Sequence, residues 1–326
     1  MFLLNYSLFT ILLVSYSFAA ITGPLTQDFQ DWLKSNGYDK DDFVRTDEHS
    51  TQGSYGGKTA SANTISNTPV IFIHGNSDSA LKSSASATGW DNTIDYFLTK
   101  GYTEAELYAT SWGDTSPFNA GTRTHNCALL TRMRRFLEAV LAYTKANKVS
   151  LITHSMGVTI GRKIIKGGNH EASDGSCNLG SPLNSKIEVY LGLSGGNFGL
   201  CNCEGGSEIA SATCNNKDGL WPGDSCGLNI LTCGAQPLPW PCSNVQYSKF
   251  LMKMNADKTK EADYVFSGWS HMDDLIMYND IVWGRPTSQI PTEDGHKIYD
   301  IYTHMETKEL TANDQYTFVH DKKIPN

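Results

Sequence analysis

The chain has 326 residues and a formal net charge of −8, with 26 lysines and arginines against 34 aspartates and glutamates. That acidic balance excludes nucleic acid as a partner. The length is large for one domain but within the range of single α/β folds, so residues 20–326 are expected to form one domain.

Residues 1–19 open with an uncharged run, Met1 to Val14, that leads into small residues at Ser17 and Ala19. This is the pattern of a secretory signal peptide cleaved after Ala19. No later stretch approaches the roughly 18 consecutive apolar residues that a membrane span needs, so a secreted chain with no transmembrane segment is expected. Export also sets the reading of the eight cysteines, Cys127, Cys177, Cys201, Cys203, Cys214, Cys226, Cys233 and Cys242. An even count in an oxidising compartment predicts four disulfides, their pairing left open. Cys201-Asn202-Cys203 lacks the usual zinc-ligand spacing, and neither a metal nor a cofactor is expected.

A helix over Leu25–Asn36 and a Gly- and Ser-rich connector, Thr51–Asn67, read as an outer arm. Pro69–Ile73 is a wholly apolar strand of the kind buried on both faces in parallel sheets. A helix around Asn92–Lys100 stops at Gly101, and Leu107–Thr110 is a weaker strand. A strong helix follows from about Cys127 to Asn147, with Leu130, Met133, Leu137, Val140 and Leu141 on one face and its arginines expected on a solvated face. A strand at Val149 to His154, a helix with Ile160, Ile164 and Ile165 that ends near Gly167-Gly168, and a strand at Ile187–Leu193 complete the alternation. Strand and helix in turn predict a mostly parallel α/β sheet flanked by helices.

From Gly195 to about Val245 the pattern dissolves into an excursion that holds six of the eight cysteines. Trp221, Pro222, Leu238, Pro239, Trp240 and Pro241 give it apolar surface; it reads as a stapled ornament on the sheet's rim rather than a cap over an acyl groove. The chain resumes with a strand at Ala262–Ser267 and closes with a helix near Thr311, where Thr311 and Asp314 have capping-box spacing.

The chemistry centres on Val149-Ser150-Leu151-Ile152-Thr153-His154-Ser155-Met156-Gly157. A β-branched run that stops at a serine and turns at once into a helix is the form of a nucleophile elbow, in which a tight turn pushes Oγ out of the sheet's carboxyl edge. Gly157 fits the second glycine of G-x-S-x-G; Thr153 replaces the first. A helix N-cap is the alternative use of Ser155.

A triad in the order serine, acid, histidine needs an acid after a downstream strand, and Gly268-Trp269-Ser270-His271-Met272-Asp273-Asp274-Leu275-Ile276 supplies one. Asp273 has the better spacing and Asp274 is its rival; an N-cap and first-turn role at a helix from Leu275 is the structural alternative. His304 is the expected base, set in a sheet-edge loop after Ile298–Tyr302, ahead of His296 in a turn and His320 near the end. Ser155 Oγ must then lie within hydrogen-bond reach of an imidazole. The amides of Met156, after the nucleophile, and Asn76, after Ile73-His74-Gly75, are the expected oxyanion hole. His74 and His154 are read as supporting side chains.

These segments resemble the class 2 lipases of the α/β-hydrolase superfamily, through Val70–Asn76, Thr153–Gly157, Asp273–Ile276 and Thr303-His304, and also Val282–Arg285 and Thr307–Thr311. The resemblance covers roughly Pro69 to the C-terminus. It implies an α/β-hydrolase fold and a carboxylic-ester hydrolase that needs no cofactor and acts on lipid acyl esters such as triacylglycerol, with lipid interfaces as possible partners. A peptidase or acyltransferase would use the same triad, and a catalytically silent binding protein on this scaffold is the non-enzymatic alternative.

Overall fold

The computed structural model describes residues 20–48, 50–60, 63–204, 207–223, 233–234 and 246–326. The expected signal peptide, Cys226, Cys242 and Leu238 to Pro241 lie outside these residues.

Seven strands form one sheet: β1 (Ser54–Tyr55), β2 (Val70–Ile73), β3 (Leu107–Thr110), β4 (Val149–His154), β5 (Ile187–Leu193), β6 (Tyr264–Ser270) and β7 (Gly295–Tyr299). Their order is β1-β3-β2-β4-β5-β6-β7. Only the edge strand β1 runs antiparallel to its neighbour; the other pairings are parallel.

Alternate residues of each strand face opposite layers. Ile71, Ile73 and Leu151 join the cluster beneath α1 (Gln27–Ser35), α3 (Cys127–Thr144) and α4 (Met156–Lys166). Val70, Phe72 and Ile152 join the cluster beneath α2 (Asp91–Thr99) and Phe318. This is the α/β-hydrolase layout, and it explains the wholly apolar Val70–Ile73: all four residues are buried.

Several expectations are corrected. The Thr51–Asn67 connector is not only an outer arm, because Ser54 and Tyr55 pair with Thr110 and Ala109 as the edge strand. α3 ends at Thr144, where Lys145 turns left-handed with φ 54°. Its arginines are not a solvated face: Arg132 Nε donates to the Asp41 carbonyl at 2.6 Å and Arg135 pairs with the Asp41 carboxylate at 2.7 Å. Arg134 is buried and donates to the carbonyls of Ile164 and Ser181. A row that reads as polar decoration therefore ties the arm and α4 to α3. Between α4 and β5 the chain also makes an unforeseen hairpin, Asn169–Ala172 with Gly175–Asn178. The capping box is not formed: Thr311 Oγ1 donates to the Thr307 carbonyl at 2.6 Å, while Asp314 accepts from the Tyr299 hydroxyl at 2.9 Å.

Three disulfides lie within the described residues, Cys127–Cys177, Cys201–Cys233 and Cys203–Cys214. The first staples the start of α3 to the hairpin. The other two belong to the excursion, which is more than ornament: Asn202 Nδ2 donates to the Leu275 carbonyl at 2.8 Å and Thr213 Oγ1 to the Ala120 carbonyl at 2.7 Å. It bridges two loops at the carboxyl edge of the sheet. No described helix is long and apolar enough to cross a membrane.

Candidate active site

Sheet topology brings the candidate residues to one edge. β2 and β4 are neighbours with Ile73 opposite Thr153, so Asn76 and Ser155 leave adjoining strand ends. β6 and β7 are neighbours with Ser270 opposite Tyr299, so the loops to Asp273 and His304 also adjoin. β5 lies between the pairs and accepts the Ser155 amide at the Leu193 carbonyl, 2.8 Å away.

Ser155 sits at φ 56° and ψ −128°, between β4 and α4, and its side chain makes no capping bond. A non-glycine residue held at positive φ is strained, and such strain concentrates at functional positions. Two glycines allow the tight return. A β-carbon at 157 would fall 2.5 Å from the carbonyl oxygens of Ile73 and His74. One at 75 would fall 2.7 Å from Ser155 Cβ and 3.3 Å from its Oγ. Thr153, in the missing glycine's place, is buried, and its Oγ1 donates to the Leu191 carbonyl at 2.9 Å. The room for its methyl group comes from Gly161, where a β-carbon would meet Thr153 Cγ2 at 3.0 Å. The glycine the turn lacks is supplied from α4.

His304 Nδ1 and Asp273 Oδ2 are 2.7 Å apart and both residues are buried. Asp273 Oδ1 accepts the amides of Leu275 and Ile276 at 3.0 and 2.8 Å in a turn, so one carboxylate both orients the imidazole and caps the turn. Burial alone would raise the Asp273 pKa. The hydrogen bond and charge of His304, with the two amides, outweigh it and hold the carboxyl below its ordinary value. Asp274 binds the backbone instead, its Oδ1 accepting the N–H of His304 at 2.9 Å. His296 pairs with Glu293 and His320 with Asp321, and neither binds a residue of this cluster.

Nε2 of His304 is buried and carries no hydrogen bond among the described residues. The expected Ser155 Oγ–His304 hydrogen bond is therefore not formed here; such bonds commonly tighten only when substrate binds. His154 links the two residues, with its ring centred 4.6 Å from that of His304 and its Nε2–H donating to the His304 carbonyl at 3.0 Å. Burial first, and then the charge of His304, pushes the His154 pKa well below its ordinary value, so His154 is a neutral support. His74 is another: Nδ1–H donates to the Gly75 carbonyl at 2.7 Å, Nε2 accepts the Trp112 amide at 2.9 Å, and burial lowers its pKa to about 4.

Two cations that the sequence did not single out hold the loop after β2. Arg123 Nη1 donates to Asn76 Oδ1 at 2.6 Å and to Ser77 Oγ at 2.7 Å, beside a backbone turned left-handed at Ser77, φ 64°. Arg123 Nη2 pairs with Asp114. On the other side Lys308, four residues after His304, pairs with Asp78 at 2.6 Å and donates to the Gly89 carbonyl at 2.5 Å, all of it buried. Lys308→Met will leave the Asp78 carboxylate buried and unpaired, at a cost of about 3–5 kcal/mol. The expected melting-temperature drop is about 10 °C, and adding Asp78→Asn will recover most of it; equal losses in the single and double variants would contradict the pairing.

Among solved structures, the chain is similar to lipase B of Aspergillus fumigatus, with 10% identity, 78% of this chain and 52% of that one covered, and a TM-score of 0.45. A Bacillus licheniformis lipase in its mature form gives 11% identity, 81% and 96% coverage and 0.44. A monoacylglycerol lipase of Paleococcus ferrophilus gives 13%, 83% and 98%, and 0.45. The chain spans about half the length of the Aspergillus lipase. No curated protein matches it in sequence. Residues 67–317, which carry the elbow, the Asp273 and His304 loops and both supporting cations, match the model of the class 2 lipases, and the protein belongs to that family.

Proposed function

We propose that this chain is a secreted carboxylic-ester hydrolase of lipid acyl esters, triacylglycerol among them, working through Ser155, His304 and Asp273. The observation that carries the reading is the buried Asp273–His304 pair, which fixes Nδ1 as the protonated nitrogen and leaves Nε2 unbonded on the edge where the strained Ser155 turn projects. His304 Nε2 takes the hydroxyl proton as Oγ attacks the ester carbonyl, and Asp273 stabilises the imidazolium that forms. The amides of Asn76 and Met156 receive the oxyanion, each worth about 3 kcal/mol of transition-state stabilisation. The alcohol leaves with the proton from His304, and a water molecule, deprotonated in turn by His304, releases the acid from the acyl-serine.

The preference for lipid rests on apolar side chains on the loops at this edge. Phe118 is 96% exposed after β3, Met272 62% in the Asp273 loop, Ile301 75% before His304 and Ile209 92% in the excursion. Large apolar side chains left exposed on loops of one edge are candidates for an interaction surface. Three disulfides fit an extracellular site of action.

A panel of esters from soluble acetyl and butyryl to emulsified long-chain triacylglycerol tests the substrate class. The emulsified substrate is expected to be turned over faster once it forms an interface, and Phe118→Ser with Ile301→Ser to lower that rate about a hundredfold while leaving the soluble-ester rate within twofold, since each buried apolar side chain contributes roughly 1.5–3 kcal/mol. Hydrolysis of soluble esters alone would overturn the lipid assignment.

A further inference from the structure

The far end of α4 gathers charge away from Ser155. A cavity of about 270 Å³ opens between α4, the following loop and hairpin, and α5 (Lys249–Ala256), lined by Lys163, Lys166, Lys217, Lys249 and Lys253. Glu171 and Asp257 are the carboxylates among its lining residues. Lys163 Nζ donates to the Gly167 carbonyl at 2.7 Å, Lys217 Nζ to the Ala172 carbonyl at 2.5 Å, and Lys166 Nζ to the Asp257 carbonyl at 3.1 Å while pairing with the buried Glu261 at 3.4 Å. The Lys249 amide is bonded to the Asn216 carbonyl at 2.9 Å, which brings it beside Lys217.

Lys163 and Lys166 also serve as basic residues in the last turn of a helix. That role accounts for two of the five. Lys217, Lys249 and Lys253 come from other segments and converge on the same space. Lys253 meets Glu171 at 3.4 Å with both side chains about two-thirds exposed, a pair that contributes little. Lys163, Lys217 and Lys249 have no carboxylate partner among the described residues, although acidic residues outnumber basic ones in the chain. Burial, and then the charge of Lys253, lowers the Lys163 pKa against the opposing charge of Asp257.

We propose that this cavity binds a compact polyanion bearing two or more phosphate or sulfate groups. Its volume lies near the lower end of small-molecule sites. Its position argues against an anionic bilayer. The 11 residues of α4 span about 16 Å from the Ser155 turn, so a membrane seated on the lysines would face away from the apolar edge. This inference stands apart from the reading of the Ser155 site.

Titration calorimetry at fixed ionic strength tests it, with sodium pyrophosphate and sucrose octasulfate as separate probes. The wild type is compared with a Lys217→Gln, Lys249→Gln, Lys253→Gln variant whose melting temperature reports its fold. At least one probe is expected to bind the wild type at a single site and the variant about a hundredfold more weakly, each fully water-screened charge contact being worth roughly a factor of five. Which probe binds identifies the oxyanion. Lys249→Gln alone, at a side chain with no described partner, gives about a fivefold loss and serves if the triple variant does not fold. Absence of heat with both probes, equal binding by wild type and variant, or lysine-dependent binding to phosphatidylglycerol vesicles without binding of either small anion would each overturn the proposal.

Discussion

Ser155→Ala will lower turnover of a soluble ester such as p-nitrophenyl butyrate by about 10⁶-fold, the scale expected when the nucleophile of a three-residue unit is removed. The melting temperature should hardly move. The Ser155 side chain makes no capping bond, and the amide that ties the turn to Leu193 belongs to the backbone, so the substitution strands no buried partner. The residual rate reports what the proposed oxyanion amides of Asn76 and Met156 and substrate binding supply by themselves. A variant that retains a tenth of wild-type turnover would show that the strained turn carries no nucleophile.

Asp273→Asn is the second large effect, about 10⁴-fold in kcat. The Leu275 and Ile276 amides demand an acceptor at the position of Oδ1, so the new carboxamide presents its NH₂ to His304. Nδ1 must then accept, the ring proton moves to Nε2, and the nitrogen needed to deprotonate Ser155 is blocked. Asp274→Asn should cost no more than about tenfold, because an asparagine oxygen can still accept the His304 amide. Steady-state kinetics on both variants separates the roles, and the reverse ranking would exchange them.

Readable from the sequence are features that local pattern specifies. Val70–Ile73 declares a buried parallel strand because both of its faces must be apolar, and Ile187–Leu193 shows itself by an apolar run broken only at Glu188. The Thr153–Gly157 turn shows itself because only small residues allow a helix to return so close to its strand. Spacing then ranks Asp273 over Asp274, and chain order with a sheet-edge loop ranks His304 over His296 and His320. What was not legible depends on partners far apart in the chain. Lys308 reads as one more polar residue until the fold sets it on Asp78, 230 positions away. Arg123 similarly gains meaning only from Asn76, and Arg132 and Arg135 only from the arm that folds onto α3. Gly161 would not be connected with Thr153 before α4 is seen to pack on β4. The edge strand Ser54–Tyr55 is too short for any alternation to register.

In the proposed mechanism Ser155 is a nucleophile armed by the Asp273–His304 pair. Its most direct test is to react the wild-type protein with a fluorophosphonate and map the adduct by mass spectrometry. One phosphonyl group on the peptide that contains Ser155, lost when Asp273 is changed to asparagine and the reaction is kept short, is the result expected. An adduct on another residue, or none under conditions that label a known serine hydrolase, would contradict it.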